Sequence, residues 1–326
     1  MTKPSPLIWR EDGLPQSSLY GDVYFSSEDG LAETRAVYLA GCGLPDGWEG
    51  RRFFTVAELG FGSGLNIAAL LTMWKERRPA DGRLQIFSVE AHPMDAGDAR
   101  RALERWPPIA PAMEALLAAW PDPTPGFHRL DLPGFDAVLD LAILPADEAL
   151  ARWEGRADAW FLDGFSPALN PAMWTPDLMR AVAARSAPGA RAATFTVAGG
   201  VRRALAEAGF TVERMPGFGR KRQRLEAVLP GRSAQAPAPR AAVIGAGIAG
   251  ASVLRALDAL GLESELFDGA GRGAGASGNP AALVTPAFDA GEGVRAKLYA
   301  QAFARAVRLF SGVDGAVIAR GAVQVE

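Results

Sequence analysis

Cysteine is almost missing: the 326 residues hold one, Cys42. That excludes an internal disulfide and fits a reducing compartment, with Cys42 reading as a small packed residue rather than a nucleophile. Histidine is nearly as scarce, with only His92 and His128, so a multi-ligand zinc site is not expected and no metal is assigned. No run of roughly 18 apolar residues occurs, which leaves no candidate membrane span. The first stretch, "MTKPSPLIWREDGLPQSS", is polar and broken by proline, without the apolar centre of a secretory signal. A cytoplasmic protein, monomeric and without a membrane partner, is the expectation. An excess of one charge is missing too: 34 Lys and Arg stand against 37 Asp and Glu, for a net charge of -3. Any nucleic-acid contact must therefore come from a local basic patch.

What is present is apolar bulk and punctuation. A hydrophobic fraction of 49% suffices for sizeable cores, and the length suggests roughly two domains. Apolar β-type runs alternate with helical periods, the pattern of a parallel sheet flanked by helices. "FFTVAEL" (53–59) is a strand followed by a glycine turn and a helix from 65 to 78. "LQIFSVE" (84–90) is the next strand, and "DAGDARRALERW" after it is helical. Later come "DAWFLD" (158–163), a helix over 176–185, "ARAATFT" (190–196), a helix over 200–208, and a closing pair, "FTVERM" and "RLEAVL". The stretch "PGRSAQAPAPR" (230–240) has no periodic face and reads as a solvated connector. Beyond it the pattern restarts with the strand "AAVIG", a second glycine turn, a helix ending near 260, and the strand "ESELFD".

The first turn holds Gly60, Gly62 and Gly64 at the carboxyl end of a strand, where open parallel sheets bind ligands. Its E-x-G-x-G-x-G spacing differs from the dinucleotide pattern and looks like the first motif of S-adenosylmethionine-dependent methyltransferases. Glu90 ends the next strand, where an acid accepts hydrogen bonds from ribose hydroxyls. "WFLDGFSPALNP" sets Asp163 at the end of an inner strand, facing the same cleft. In nitrogen methylation such a carboxylate would orient an amine by accepting its N–H, since an alkyl amine with a pKa of about 10 must first lose a proton. A bare carboxylate favours the ammonium form, so positioning is expected rather than strong base catalysis. "GFGRKRQR" gathers Arg220, Lys221, Arg222 and Arg224 before the last strand, either a solvated basic turn or a seat for a phosphate backbone.

In chain order, "DVYFSSEDGLAETRAVYL", "ELGFGSGLN", "FSVEAHP", "DAWFLDGFSPALNPAMW", "ATFTVAGGVRRAL" and "GFGRKRQ" resemble the methyltransferase half of the bifunctional tRNA 5-methylaminomethyl-2-thiouridine biosynthesis family. The resemblance covers nearly all of residues 1–230. It implies methyl transfer from S-adenosylmethionine to the aminomethyl group of a wobble uridine, with tRNA as partner. It sets Asp163 beside the acceptor amine, and Glu58, Gly60, Gly62, Gly64, Asn66 and Glu90 on the cofactor, with Tyr24 and Glu33 helping to close the pocket. Arg220, Lys221, Arg222 and Arg224 fall to the tRNA. The family usually carries a Gly-Asp pair near the adenine; here Leu144-Pro145 stands instead. Proline offers neither an N–H nor a side-chain acceptor, so Asp147 substitutes or adenine is held by packing alone.

The second turn, Gly245, Gly247 and Gly250, follows a strand and opens a helix, with Asp268 about 20 residues on, the context a dinucleotide site requires. The following "GRGAGASGNPAALVTPAF" resembles the flavin half of the same family, and Ser277 falls in the segment that approaches FAD. In that family the flavin domain oxidises away the carboxymethyl group, leaving the amine for methylation. The stretch from Arg240 to Glu326 is far shorter than the family's flavin domain, so an incomplete FAD site of doubtful activity is expected. The fold class is α/β: a Rossmann-like S-adenosylmethionine methyltransferase domain over 1–230, a linker over 231–239, and the start of an FAD-binding Rossmann-type domain over 240–326. Two other readings stay open. One is a flavin-dependent amine oxidoreductase whose N-terminal domain serves only tRNA binding, and the other is a tRNA-binding scaffold.

Overall fold

The computed structural model describes residues 7–232, 238–285 and 293–321. The chain divides into two compact units, Met1–Pro125 with Leu130–Pro237, and Gly126–Arg129 with Ala238–Glu326. The first opens with a short antiparallel hairpin, β1 (Leu7–Trp9) and β2 (Pro15–Ser17). Helix α1 (Gly30–Thr34) starts where the Asp29 carboxylate accepts from the Ala32 N–H, a side-chain N-cap, and runs on into a wide π-type turn, Arg35–Leu39.

An eight-stranded sheet follows: β3 (Phe53–Leu59), β4 (Arg83–Val89), β5 (Gly126–Leu132), β6 (Ala137–Ile143), β7 (Ala157–Leu162), β8 (Ser186–Thr194), β9 (Thr211–Pro216) and β10 (Gln223–Val228). Their spatial order is β5-β6-β4-β3-β7-β8-β10-β9. The pairs β3/β4, β3/β7, β4/β6 and β7/β8 are parallel, while β10 runs antiparallel to both β8 and β9. The chain builds outward from β3 to β4 and on to the edge strand β5, fills the gap with β6, then crosses to the other side of β3 with β7. That reversal opens a crevice at the carboxyl ends of β3 and β7, where sheets of this kind bind ligands.

Central strands with helices on both faces read as nearly continuous apolar runs, and β3 and β4 each end in four consecutive buried residues. Helices α2 (Leu65–Arg77), α3 (Ala96–Leu103) and α4 (Ala110–Ala118) pack with α1 as one group, and α5 (Ala146–Arg152), α6 (Pro176–Ala184) and α7 (Gly199–Glu207) as another. Trp48, Trp74 and Trp160 are fully buried. Their indole N–H groups donate to the Arg77 carbonyl, the Phe135 carbonyl and the Ser186 hydroxyl at 3.3, 3.0 and 2.9 Å, so that three large apolar bodies enter the core without an unpaired donor. Cys42 is buried beside the Trp160 carbonyl, 3.3 Å away, and burial pushes its thiol up to about 12. It is a packed residue with no thiolate to offer.

In the second unit, β11 (Ala241–Ile244) and β12 (Ser264–Phe267) pair in parallel, joined through α8 (Ile248–Ala259), and α9 (Val294–Ser311) follows. Among its described residues from Ala238 onward only Val243 is buried, while Ile244 is 88% exposed.

Candidate active site

The turn after β3 has the residues it has because its backbone touches other backbone. Gly60 sits at φ +88°, and a Cβ there would come 3.1 Å from the Gly164 nitrogen. Gly62, at φ +54°, lies against Tyr24, whose ring carbon a Cβ would meet at 3.2 Å. At both positions a side chain would be strained in the left-handed conformation and crowded by its neighbour. The N–H groups of Gly60 and Phe61 share the Val89 carbonyl, each at 3.0 Å. Glu90 then ties the turn to the end of β4. Its Oε2 accepts from the Gly62 N–H at 2.9 Å and its Oε1 from the His92 N–H at 2.8 Å. Each oxygen keeps a lone pair for a hydroxyl donor.

Asp163 follows the last residue of β7, the strand beside β3, which brings it to the same crevice. The Gly164 N–H donates to its Oδ1 at 2.7 Å and the Asn66 amide to its Oδ2 at 2.8 Å. The Tyr38 hydroxyl donates to the same carboxylate. Burial pushes Asp163 up to about 6 against the pull of these three donors. Burial first, and then Asp163, holds the Tyr38 hydroxyl well above its ordinary value, so it stays a proton donor. The Asn66 amide is oriented from behind, where Thr34 Oγ1 donates to its Oδ1 at 2.7 Å. Sequence reasoning assigned no role to Tyr38, Thr34 or Gly164. Tyr38 lay inside the quoted N-terminal stretch, but only the wide turn over Arg35–Leu39 aims it at Asp163.

These groups face a cavity of about 1190 Å³. Of the residues singled out in the sequence, Gly60, Gly62, Asn66, Glu90 and Asp163 line it, as do Tyr24 and Glu33. Leu144, Pro145 and Asp147 form another part of its wall, with Asp147 exposed in the first turn of α5. Glu58 and Gly64 do not line it; Glu58 is 0% exposed beneath its floor, where its Oε2 accepts from the Ser88 hydroxyl at 2.6 Å. The basic turn is split. Lys221 lines the cavity, with Nζ 2.8 Å from Glu33 Oε1 and 4.1 Å from the centre of the Phe195 ring. Arg220 also lines it, 94% exposed and 3.2 Å from Glu28. Arg222 and Arg224 do not, and Arg224 lies within β10, bound to Glu226 at 2.6 Å.

In the second unit, Gly245 has φ +104° and a Cβ on Gly250 would strike the Gly245 carbonyl. Asp268 accepts from the N–H groups of Ala246, Ala270 and Gly271 at 2.7, 2.8 and 2.8 Å, which holds its carboxyl below the usual range. Ser277 accepts from the Ile248 N–H at 2.9 Å, and Gly247 lies beside it. The tight turn leaves backbone where a pyrophosphate would need it. Among the described residues no cluster of three or more His, Cys, Asp or Glu could hold a metal, and no helix is long and apolar enough to cross a membrane.

Two family descriptions match the chain: an S-adenosyl-L-methionine-dependent methyltransferase over residues 107–230, and an FAD dependent oxidoreductase over residues 240–326. The first match contains Asp163 and the basic turn. The tRNA 5-methylaminomethyl-2-thiouridine biosynthesis bifunctional protein MnmC of Caulobacter sp. (strain K31) is 64% identical over 98% of this chain and 54% of its own length. The protein of the same name from Caulobacter vibrioides is also 64% identical, over 99% of this chain and 55% of its own length. The chain belongs to this family of bifunctional proteins. It spans about half the length of the relatives it matches. Among solved structures it is similar to MNMC2 from Aquifex aeolicus, with a TM-score of 0.58 at 23% identity over 72% of this chain and 73% of that one, a likeness of fold. The resemblance carried by the motifs therefore holds along the chain. A methyltransferase domain is followed by residues of an FAD-dependent oxidoreductase domain, and these imply S-adenosylmethionine and FAD as the respective cofactors.

Proposed function

We propose that this chain transfers a methyl group from S-adenosylmethionine to the primary amine of 5-aminomethyl-2-thiouridine at the tRNA wobble position, giving 5-methylaminomethyl-2-thiouridine. One observation carries the reading: the backbone of the first glycine turn touches the peptide that follows Asp163, so a cofactor seat and an amine-orienting carboxylate adjoin. When bound, the cofactor supplies an electrophilic methyl group on sulfur. Gly60 and Gly62 would offer it bare backbone, Glu90 would accept from its hydroxyls, Leu144, Pro145 and Asp147 would receive its base, and Tyr24, Glu33 and Asn66 would close the remaining side. Gly64 shapes the turn, and Glu58 acts from beneath it.

Asp163 is the catalytic residue. With its proton lost near 6, it is a carboxylate at neutral pH and accepts an N–H of the acceptor amine. An amine with a pKa of about 10 does not give up its proton readily to such a group. Asp163 therefore holds nitrogen in line while the proton leaves to solvent. The carboxylates of Glu33, Glu90, Asp147 and Asp163 around the cavity favour a cationic acceptor over an anionic one. Arg220, Lys221 and Arg222 meet tRNA phosphates at the mouth, with Arg224 bracing the strand behind them. Such a substrate sets the work in the cytoplasm.

We assign residues 1–230 to the methyltransferase domain, 231–239 to a connector, and 240–326 to the flavin domain, where Gly245, Gly247, Gly250, Asp268 and Ser277 would receive FAD. The test is mass spectrometry of wobble nucleosides after the chain is incubated with hypomodified tRNA and S-adenosylmethionine. A methylaminomethyl product that fails to form with Asp163→Asn supports the reading. An unmodified nucleoside, or binding of FAD without binding of S-adenosylmethionine, favours the flavin oxidoreductase reading instead.

A further inference from the structure

Glu58 lies beneath the site without lining its cavity. It is the penultimate residue of β3, paired across the sheet with Ser88 of β4, and its side chain is 0% exposed. Its Oε2 has the Ser88 hydroxyl; its Oε1 has no hydrogen-bond partner among the described residues. The charges that reach it, Asp163 beyond β7 and Glu90 beyond β4, are both negative. A buried carboxylate with an empty acceptor site and only like charges around it is a costly group, and such groups neutralise by taking up a proton. The Asn66 amide stands between the two acids: its nitrogen donates to Asp163 Oδ2, and the same amide eases the charge of Glu58. A flipped amide would turn its oxygen onto the Asp163 carboxylate, so the arrangement has one sense. Tyr38 and, through Asp163, Glu33 complete the ionisable groups of the cluster.

We infer that Glu58 is a neutral carboxylic acid in the working protein, and that its proton, with the Asn66 amide as positioning group, keeps Asp163 free to be the carboxylate. The consequence for the acceptor amine rests on the function proposed above; the protonation of Glu58 does not. Were Glu58 ionised, a second negative charge behind Asn66 would drive Asp163 to keep its own proton, and the lone pair that meets the amine N–H would be lost. Burial pushes Glu58 up to about 8, and the Ser88 hydroxyl and the neighbouring Asn66 amide only partly offset this. The acid therefore stays neutral through the range in which Asp163, near 6, has already ionised.

The test is pH-difference infrared spectroscopy of the full chain without cofactor or tRNA. At neutral pH a protonated carboxyl C=O band is expected in the wild type and in Asp163→Asn, and is expected to be lost in Glu58→Gln. Ser88→Ala, which removes a donor to the ionised form, should carry that band to higher pH. A band that survives Glu58→Gln, or a midpoint that Ser88→Ala leaves in place, overturns the proposal. In methyl-transfer assays the acid limb near 6 should stay in place in Glu58→Gln, because the acid and the amide are both neutral while Asp163 titrates. An acid limb that Glu58→Gln moves to lower pH would mean that Glu58 is already charged where Asp163 titrates, and it overturns the proposal. If the chain transfers none, the infrared result still decides the state of Glu58.

Discussion

Glu58→Gln also has a consequence for stability whose size follows from the fold. In the folded protein Glu58 releases its proton near 8, against 4.5 for an unburied glutamate. Between those values the folded chain holds a proton that the unfolded chain has lost. For a raised acid the sign is fixed: its contribution to stability is complete below about 4.5, drains away as pH rises toward 8, and is flat beyond. The slope is about 1.4 kcal/mol per pH unit, which integrates to about 2.5 kcal/mol between about pH 5 and pH 7. Glutamine keeps the shape and carries no proton to lose, so the stability of the variant relative to wild type should climb by about 2.5 kcal/mol over that interval. Any fixed packing cost of the substitution cancels in the difference. Urea unfolding followed by tryptophan fluorescence is the assay, because all eight tryptophans lie in the first unit and report on it alone. Parallel stability curves for the two proteins from pH 5 to 7 would refute the reasoning, since they would mean that burial does not hold the proton on Glu58.

Tyr38→Phe removes one donor to the Asp163 carboxylate and should move the acid limb of methyl transfer upward from about 6, by about one pH unit for a hydrogen bond to a charged group; a limb that stays in place removes Tyr38 from the site. Gly60→Ala puts a methyl group against the Gly164 backbone in a left-handed conformation, at a cost of about 1–2 kcal/mol, and should weaken S-adenosylmethionine binding about ten-fold or more, as calorimetry would register. The pair Arg220→Glu and Lys221→Glu should weaken tRNA binding and lower its salt slope by about two, while equal slopes for variant and wild type would take the basic turn out of the interface.

Much of the sheet was legible because buried parallel strands are short apolar runs ending in glycine or acid. "FFTVAEL" with its glycines, "FSVE" and "WFLD" gave three neighbouring strand ends and, with them, the crevice. The hairpin β1–β2 is not legible in the sequence because its strands are three residues long. Helix α4, "APAMEALLA", shows no polar stripe to betray its period. In the site, residue types were readable and orientations were not. The motif alone places Glu58 with the cofactor residues, whereas the register that pairs it with Ser88 sends its carboxyl under the floor. The run of basic residues places Arg224 with the turn, but β10 begins before it and Glu226 takes its guanidinium. Nothing local marks Tyr38, whose partner is 125 positions away in the chain and is met only through tertiary packing.

Where Gly60 lies on Gly164, peptide rests on peptide with no side chain between them to act as a cushion. Rotamer changes cannot absorb slack at such a joint, so a displacement of one loop is handed directly to the other. The loop after β3 and the loop that carries Asp163 are thus gauged against each other by a contact of bare backbone, and they shift together.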